Sequence, residues 1–190
     1  EHIPARPCVL VSNHASYLDG VALVAALPTT FSFVVKGELE QQFFARVFLE
    51  RIGASFAERF DAQKGVQDAR RITQRLAAGE SVLFFAEGTL TRMPGLLPFH
   101  MGAFAAAAET GVPTVPITIR GTRSILRSDV WFAHRGAISV DVAEPVAAEG
   151  SDWHATVRLR ERVREAILAR LDEPDLAQVM ASAPNPAPES

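Results

Sequence analysis

Apolar residues along this chain fall into short runs separated by Gly, Pro and charged positions. Cys8–Ser12 is an apolar run bounded by Pro7 and Asn13, as in a buried strand that ends at a polar turn. Asp19–Leu27 reads as a short apolar helix stopped before Pro28, and Thr29–Val35, rich in Phe, Thr and Val, as a second strand. Glu38–Arg51 is helical in pattern and Ser55–Ala57 fits a short strand. Ala62–Ala78 repeats apolar residues at Val66, Ile72 and Leu76 and stops at Gly79, which predicts a helix. Ser81–Ala86 reads as a buried strand, Met101–Thr110 as an Ala-rich helix ending at Gly111, and Thr114–Ile119 as a strand alternating Val115, Ile117 and Ile119. Pro116 places that strand at an edge of the sheet, or itself at a strand start. Ala137–Val142 makes one more strand, and Trp153–Leu171 sets Val157, Val163, Ile167 and Leu171 among Arg and Glu, as in an amphipathic helix over a sheet.

Strands alternating with helices at this spacing predict an α/β domain with a mixed, largely parallel sheet flanked by helices and a ligand site at the strand ends. The expected organisation is one domain over residues 1–175 and a disordered tail over 176–190, with no internal repeat.

Composition narrows the function classes. The chain has 190 residues, 48% of them hydrophobic, enough for one substantial core. Its formal charge of -3 supplies no global basic field, so nucleic acid is not an expected partner. Cys8 is the only cysteine, which excludes an intrachain disulfide and a Cys-rich zinc site and fits a reducing compartment. His2, His100, His134 and His154 lack zinc-enzyme spacing, so no metal is expected. The apolar runs are well short of the roughly 20 residues a spanning helix needs. The chain opens Glu1-His2-Ile3-Pro4 without Met, and an amino-terminal part is expected to be missing.

Four segments carry candidate chemistry. In Asn13-His14-Ala15-Ser16-Tyr17-Leu18-Asp19, an imidazole and a carboxylate stand at a strand-to-helix boundary, where a turn can fold Asp19 onto His14. A carboxylate on one ring nitrogen fixes the tautomer and leaves the other nitrogen to take a proton from a hydroxyl. In Phe84-Phe85-Ala86-Glu87-Gly88-Thr89, an apolar strand stops abruptly at polar groups that a ligand can use. Gly53-Ala54-Ser55-Phe56-Ala57-Glu58-Arg59 ends in a guanidinium suited to phosphate. Val115-Pro116-Ile117-Thr118-Ile119 reads as a core strand. Each segment alone is weak, and an incidental turn or a solvated charge is the better explanation of any one of them.

Taken together and in this order, NHASYLD, GASFAER, FAEGT and VPITI resemble the signature blocks of the glycerophosphate and lysophosphatidate acyltransferases, the PlsC-like family, over residues 7–145. The resemblance implies an acyltransferase-like α/β fold. It also implies transfer of an acyl group from acyl-CoA or acyl-carrier protein to the 2-hydroxyl of 1-acylglycerol 3-phosphate, with no bound cofactor and no acyl-enzyme. By the same resemblance His14 is the general base, Asp19 orients it, and Asn13, Arg59, Glu87, Gly88 and Thr89 serve the acceptor. Two departures stand in the third block: Ala86 replaces the usual Pro, and Leu90 replaces an Arg common in lysophosphatidate enzymes. Arg92 is the candidate replacement; without it, a lysophospholipid with a headgroup becomes the alternative acceptor, and a non-catalytic lipid-binding domain is the alternative from another class. Residues 89–104 also resemble acyltransferase modules fused to acyl-CoA synthetases.

Amphiphilic substrates imply a cytoplasmic chain lying peripherally on the inner face of a membrane. Phe43, Phe44, Phe48 and Leu49 beside Arg46 and Arg51 are a candidate contact, or else a core-facing helix. Arg120, Arg123 and Arg127 are candidates for attracting the donor's phosphates.

Overall fold

The computed structural model describes residues 3–5, 7–34, 65–126 and 132–182. In chain order the elements are β1 (Val9–Ser12), α1 (Asp19–Ala26), β2 (Ser32–Val34), α2 (Gly65–Ala77), β3 (Val82–Phe85), α3 (Gly102–Thr110), β4 (Thr114–Arg120), α4 (Thr122–Ile125), β5 (Ser139–Val142), α5 (Trp153–Leu168) and α6 (Leu176–Ser182). Among the described residues one five-stranded sheet runs in the order β2-β3-β1-β4-β5. β1 pairs in parallel with β3 and β4, β2 in parallel with β3, and β5 antiparallel with β4. The sheet is thus mixed and largely parallel, as expected. Glu38–Arg51 and Ser55–Ala57 lie outside the described residues.

The period-2 alternation of strand side chains divides the core between two faces. Val9 and Val11 of β1, with Val82 and Phe84 of β3, pack with Ile72 and Leu76 of α2, Phe104 of α3 and Leu159, Val163 and Ile167 of α5. On the other face Cys8, Leu10, Leu83, Val115, Ile117 and Ile119 pack with Leu23 and Leu27 of α1 and with Phe33 of β2. Both faces of β1 and β3 are therefore buried, which is why these strands read as unbroken apolar runs.

Pro116 is neither on an edge strand nor at a strand start, since β4 lies between β1 and β5. Its carbonyl accepts from the Ala143 N–H at 2.9 Å, so its nitrogen faces the same neighbour, β5. That strand ends at Val142, and pairing with β4 resumes only at a Thr114–Val146 bridge. The missing donor thus falls in a gap of the ladder, where a proline is tolerated.

The tail expected from residue 176 is structured at its start, where α6 forms and Leu176 is buried. The segment before it crosses the loop that follows β3. Leu96 N–H donates to Pro174 O at 2.9 Å and Leu176 N–H to Leu96 O at 3.0 Å. Arg164, buried on α5, holds Asp175 through two bonds of 2.8 and 2.5 Å and also donates to Leu96 O at 3.2 Å. Gly95 has φ +136°, and a Cβ there would overlap the Leu176 side chain. Gly95→Ala should lower unfolding free energy by about 2–4 kcal/mol, from backbone strain and displacement of Leu176 together. A urea melt within experimental error of wild type would show that this crossing is not under constraint.

Candidate active site

The register places the chemistry at one end of the sheet. Ser12 is opposite Phe85 on β3 and Ile117 on β4, so the segments leaving β1 and β3 emerge side by side. The chain leaves β1 toward β2 on one side and β4 toward β5 on the other, a switch point of the kind at which open α/β sheets place ligands.

Residues 13–18 form a tight turn between β1 and α1. Asp19, the first residue of α1, is fully buried and turns Oδ2 back into that turn. This one oxygen accepts from Ala15 N–H at 2.6 Å, from Ser16 N–H at 2.8 Å and from His14 Nδ1 at 3.0 Å. A carboxylate only accepts, so in a neutral ring this contact calls for the proton on Nδ1 and the lone pair on Nε2. The His14 ring lies flat on Phe85, with centroids 4.0 Å apart and planes inclined by 17°. Phe85 belongs to the α1 side of β3, as Leu83 does, and is followed by Phe33 with centroids 6.2 Å apart. The aromatic shelf covers one face of the imidazole.

Two residues expected to meet the acceptor have their side chains engaged by backbone instead. Asn13 donates through Nδ2 to Ile119 O at 2.9 Å and accepts through Oδ1 from Ile119 N–H at 2.8 Å, which extends the pairing of β1 and β4 by a side chain. Glu87, 3% exposed, accepts from His14 N–H at 2.7 Å through one oxygen and from Leu97 N–H at 2.9 Å through the other. Both residues are buried cross-links, because an amide or carboxylate placed between strand ends satisfies donors and acceptors that the ladder leaves open.

Gly88 takes φ 67°, the left-handed turn that glycine favours, and Thr89 follows with an exposed side chain whose hydroxyl donates to Leu90 O at 3.5 Å. Arg92 is exposed on the same loop. Arg59 lies outside the described residues, as do Arg127 and the candidate membrane stretch Phe43–Arg51. Arg120, a candidate for the donor's phosphates, bonds Asp141 at 2.9 Å and Asp172 at 3.5 Å. Arg123 is likewise paired, with Glu173 at 3.0 Å. Ser16 carries no expected role in the sequence, yet its hydroxyl donates to Leu126 O at 2.6 Å and receives Leu18 N–H at 3.2 Å, tying the His14 turn to the chain beyond β4. Its place inside the NHASYLD block was the one available signal.

Fold and site together define an α/β domain that carries a histidine–carboxylate pair at the carboxyl ends of its parallel strands. The model of the family described as Acyltransferase matches residues 1–120, and the chain belongs to that family. It is 34% identical over 155 residues to the chloroplastic 1-acyl-sn-glycerol-3-phosphate acyltransferase BAT2 of Brassica napus, covering 80% of this chain and 45% of that protein. It is 31% identical over 169 residues to a lyso-ornithine lipid O-acyltransferase of Pseudomonas aeruginosa, covering 78% of this chain and 63% of that one. The chain thus spans about half the length of the curated relatives it matches. Among solved structures, the 1-acyl-sn-glycerophosphate acyltransferase PlsC of Thermotoga maritima superposes with a TM-score of 0.70 at 23% identity, over 97% of this chain and 70% of that one, a likeness of fold.

Burial penalises the charged form of Glu87 and pushes its carboxyl from 4.5 up to about 7, against the opposing pull of the Leu97 and His14 N–H bonds and the Arg123 charge; Glu173 adds to the rise. The folded value lies above the unfolded one, so the associated stability is full below pH 4.5 and is lost as pH rises through about 7. Relative to Glu87→Gln, which does not titrate, the parent protein should lose roughly 3 kcal/mol of unfolding free energy across that window. Urea unfolding at stepped pH reads the difference; parallel curves for the two proteins would contradict it.

Proposed function

We propose that this chain transfers a fatty acyl group from a thioester donor, acyl-CoA or acyl-carrier protein, to the 2-hydroxyl of 1-acyl-sn-glycerol 3-phosphate in phospholipid biosynthesis. The observation that carries the reading is the contact of His14 Nδ1 with the buried Asp19 Oδ2 at 3.0 Å, which leaves Nε2 as the free base. Membership of the family and the activity of relatives such as the Brassica napus enzyme support it.

In this reading Nε2 takes the proton of the acceptor hydroxyl as its oxygen attacks the thioester carbonyl. Asp19 stabilises the resulting imidazolium across the Nδ1 bond. The tetrahedral oxyanion collapses, the C–S bond breaks, and the imidazolium returns its proton to the departing thiolate, so that the products are an ester and a free thiol. The thioester is already activated, so base catalysis, positioning and oxyanion stabilisation suffice without a cofactor. Gly88, Thr89 and Arg92, with Arg59, serve the acceptor's phosphate, while Asn13 and Glu87 act through the backbone they hold. No helix among the described residues is long and apolar enough to cross a membrane, and we place the protein peripherally on the inner, cytoplasmic face, where its amphiphilic acceptors reside.

A second reading changes the acceptor to a lysophospholipid or lysolipid with a headgroup. It is favoured by Leu90 at a position where a cation would meet a phosphate monoester, and by the likeness to a lyso-ornithine lipid acyltransferase.

Thiol release from a long-chain acyl-CoA or acyl-carrier protein should depend on 1-acylglycerol 3-phosphate and fall about a thousandfold in a folded His14→Ala variant. Retained turnover in that variant would remove the mechanism, and the absence of release with every donor and acceptor would favour a lipid-binding domain. Leu90→Arg should raise the preference for the phosphate monoester over lysophosphatidylethanolamine roughly 10- to 100-fold, the worth of a charge-assisted bond. An unchanged acceptor ratio would show that position 90 does not face the headgroup.

A further inference from the structure

The loop between Gly88 and Leu97 carries Thr89, Leu90 and Arg92, and it is held at more points than a surface loop requires. At its far end, Leu97 N–H is bound to Glu87, the same carboxylate that binds His14 N–H. Its middle is held from a different part of the chain. β4 ends at Arg120, and Gly121, in a left-handed turn at φ 89°, directs the chain into α4. Arg123 on that turn donates through one terminal nitrogen to Thr91 O at 2.6 Å. Its Nε and other terminal nitrogen meet the two Glu173 oxygens at 3.0 and 3.1 Å, a fork-on-fork pair. Glu173 Oε2 also accepts from Gly95 N–H at 2.7 Å. One ion pair thus grips both ends of Thr91–Gly95, and between these points Arg92, Met93 and Pro94 are exposed.

The pair is not an ordinary surface salt bridge. The side chains of Arg123 and Glu173 are only 13% and 22% exposed, and they are tied to the backbone at Thr91 O and Gly95 N. Glu173 is itself fixed, because the next residue, Pro174, binds Leu96 and Asp175 binds the buried Arg164. Both partners lie beyond residue 120, where the match to the family model ends. The carboxyl-terminal part of the chain therefore sets the shape of a loop that begins in the third signature block.

We infer that Arg123 and Glu173 are positioning residues: they clamp Thr91–Gly95 in the shape that receives the phosphate-bearing headgroup of the acceptor. The clamp itself stands on the contacts, and its link to the headgroup rests on the acyl-transfer reading above. Neither residue touches the reacting atoms. Arg123 is spent on Glu173 and on a carbonyl, so it shapes the site without supplying a free cation to the phosphate.

The test combines hydrogen exchange of the segment spanning residues 89–97 with separate KM values for acceptor and donor, in the whole chain and in Arg123→Gln, Glu173→Gln and Arg123→Lys. Glu173→Gln keeps an oxygen for Gly95 N–H and so is the milder variant if Arg123→Gln does not fold. Exchange in the segment should accelerate about tenfold or more in the two Gln variants while α5 keeps its protection. The acceptor KM should rise about tenfold with the donor KM unchanged, and Arg123→Lys should recover part of both effects. Unchanged exchange in the segment would overturn the clamp. So would a rise of both KM values together with loss of protection throughout the fold, which marks a general structural role. If the parent protein transfers no acyl group to any acceptor, the acyl-transfer reading fails, and the exchange data still decide for or against the clamp.

Discussion

The site depends on a single buried oxygen, Asp19 Oδ2, which gathers two backbone N–H groups and an imidazole nitrogen at 2.6, 2.8 and 3.0 Å. A carboxylate withdrawn from water is costly unless donors replace the lost hydration. Here the replacement donors come from the turn that the carboxylate itself closes, so the geometry that makes Asp19 tolerable also fixes His14. Asp19 Oδ1 is buried with no hydrogen-bond partner among the described residues, which leaves the stabilisation concentrated on the oxygen that faces the imidazole. Stability of the turn and orientation of the His14 imidazole are therefore one property.

The remainder of the fold keeps that turn in register. Asn13 fastens its start to β4 through two bonds to Ile119. Glu87 fastens His14 N–H to the chain leaving β3 and, through Leu97, to the far end of the loop beyond. Ser16 fastens it to Leu126. Three polar side chains thus join segments that leave neighbouring strands, where the backbone ladder has run out. Such groups lie within a low-dielectric core and hold position only when fully paired, which gives the site its rigidity.

The strands and the His–Asp pair were legible in the sequence because each follows from a local rule. Unbroken apolar runs mark β1 and β3, alternation marks β4, and the spacing of His14 and Asp19 places both at a strand-to-helix turn. β2 was expected from Thr29 and, among the described residues, pairs from Ser32, since where a strand begins depends on its partner's register, which composition does not encode. Asn13 and Glu87 were recognised as special positions, yet their partners are 106 and 73 residues away in sequence, so a ligand-facing role and a cross-linking role look alike until the strands are ordered. Pro116 misled for the same reason, because the gap that accommodates it belongs to β5. Arg120 and Arg123 were expected as candidates for attracting the donor's phosphates, and their acceptors, Asp141, Asp172 and Glu173, lie in segments whose packing no local pattern announced.

The central claim is that Asp19 holds His14 as the Nδ1–H tautomer with Nε2 free to act as base. Nitrogen-15 NMR of the imidazoles, with the His14 resonances assigned by comparison with His14→Gln, tests it directly at a pH where the ring is neutral. The account predicts that the proton resides on Nδ1 in the parent protein and that this preference is lost in Asp19→Ala. A neutral His14 protonated on Nε2 in the parent protein would contradict it, because Nε2 could not then take the proton that the proposed reaction requires of it.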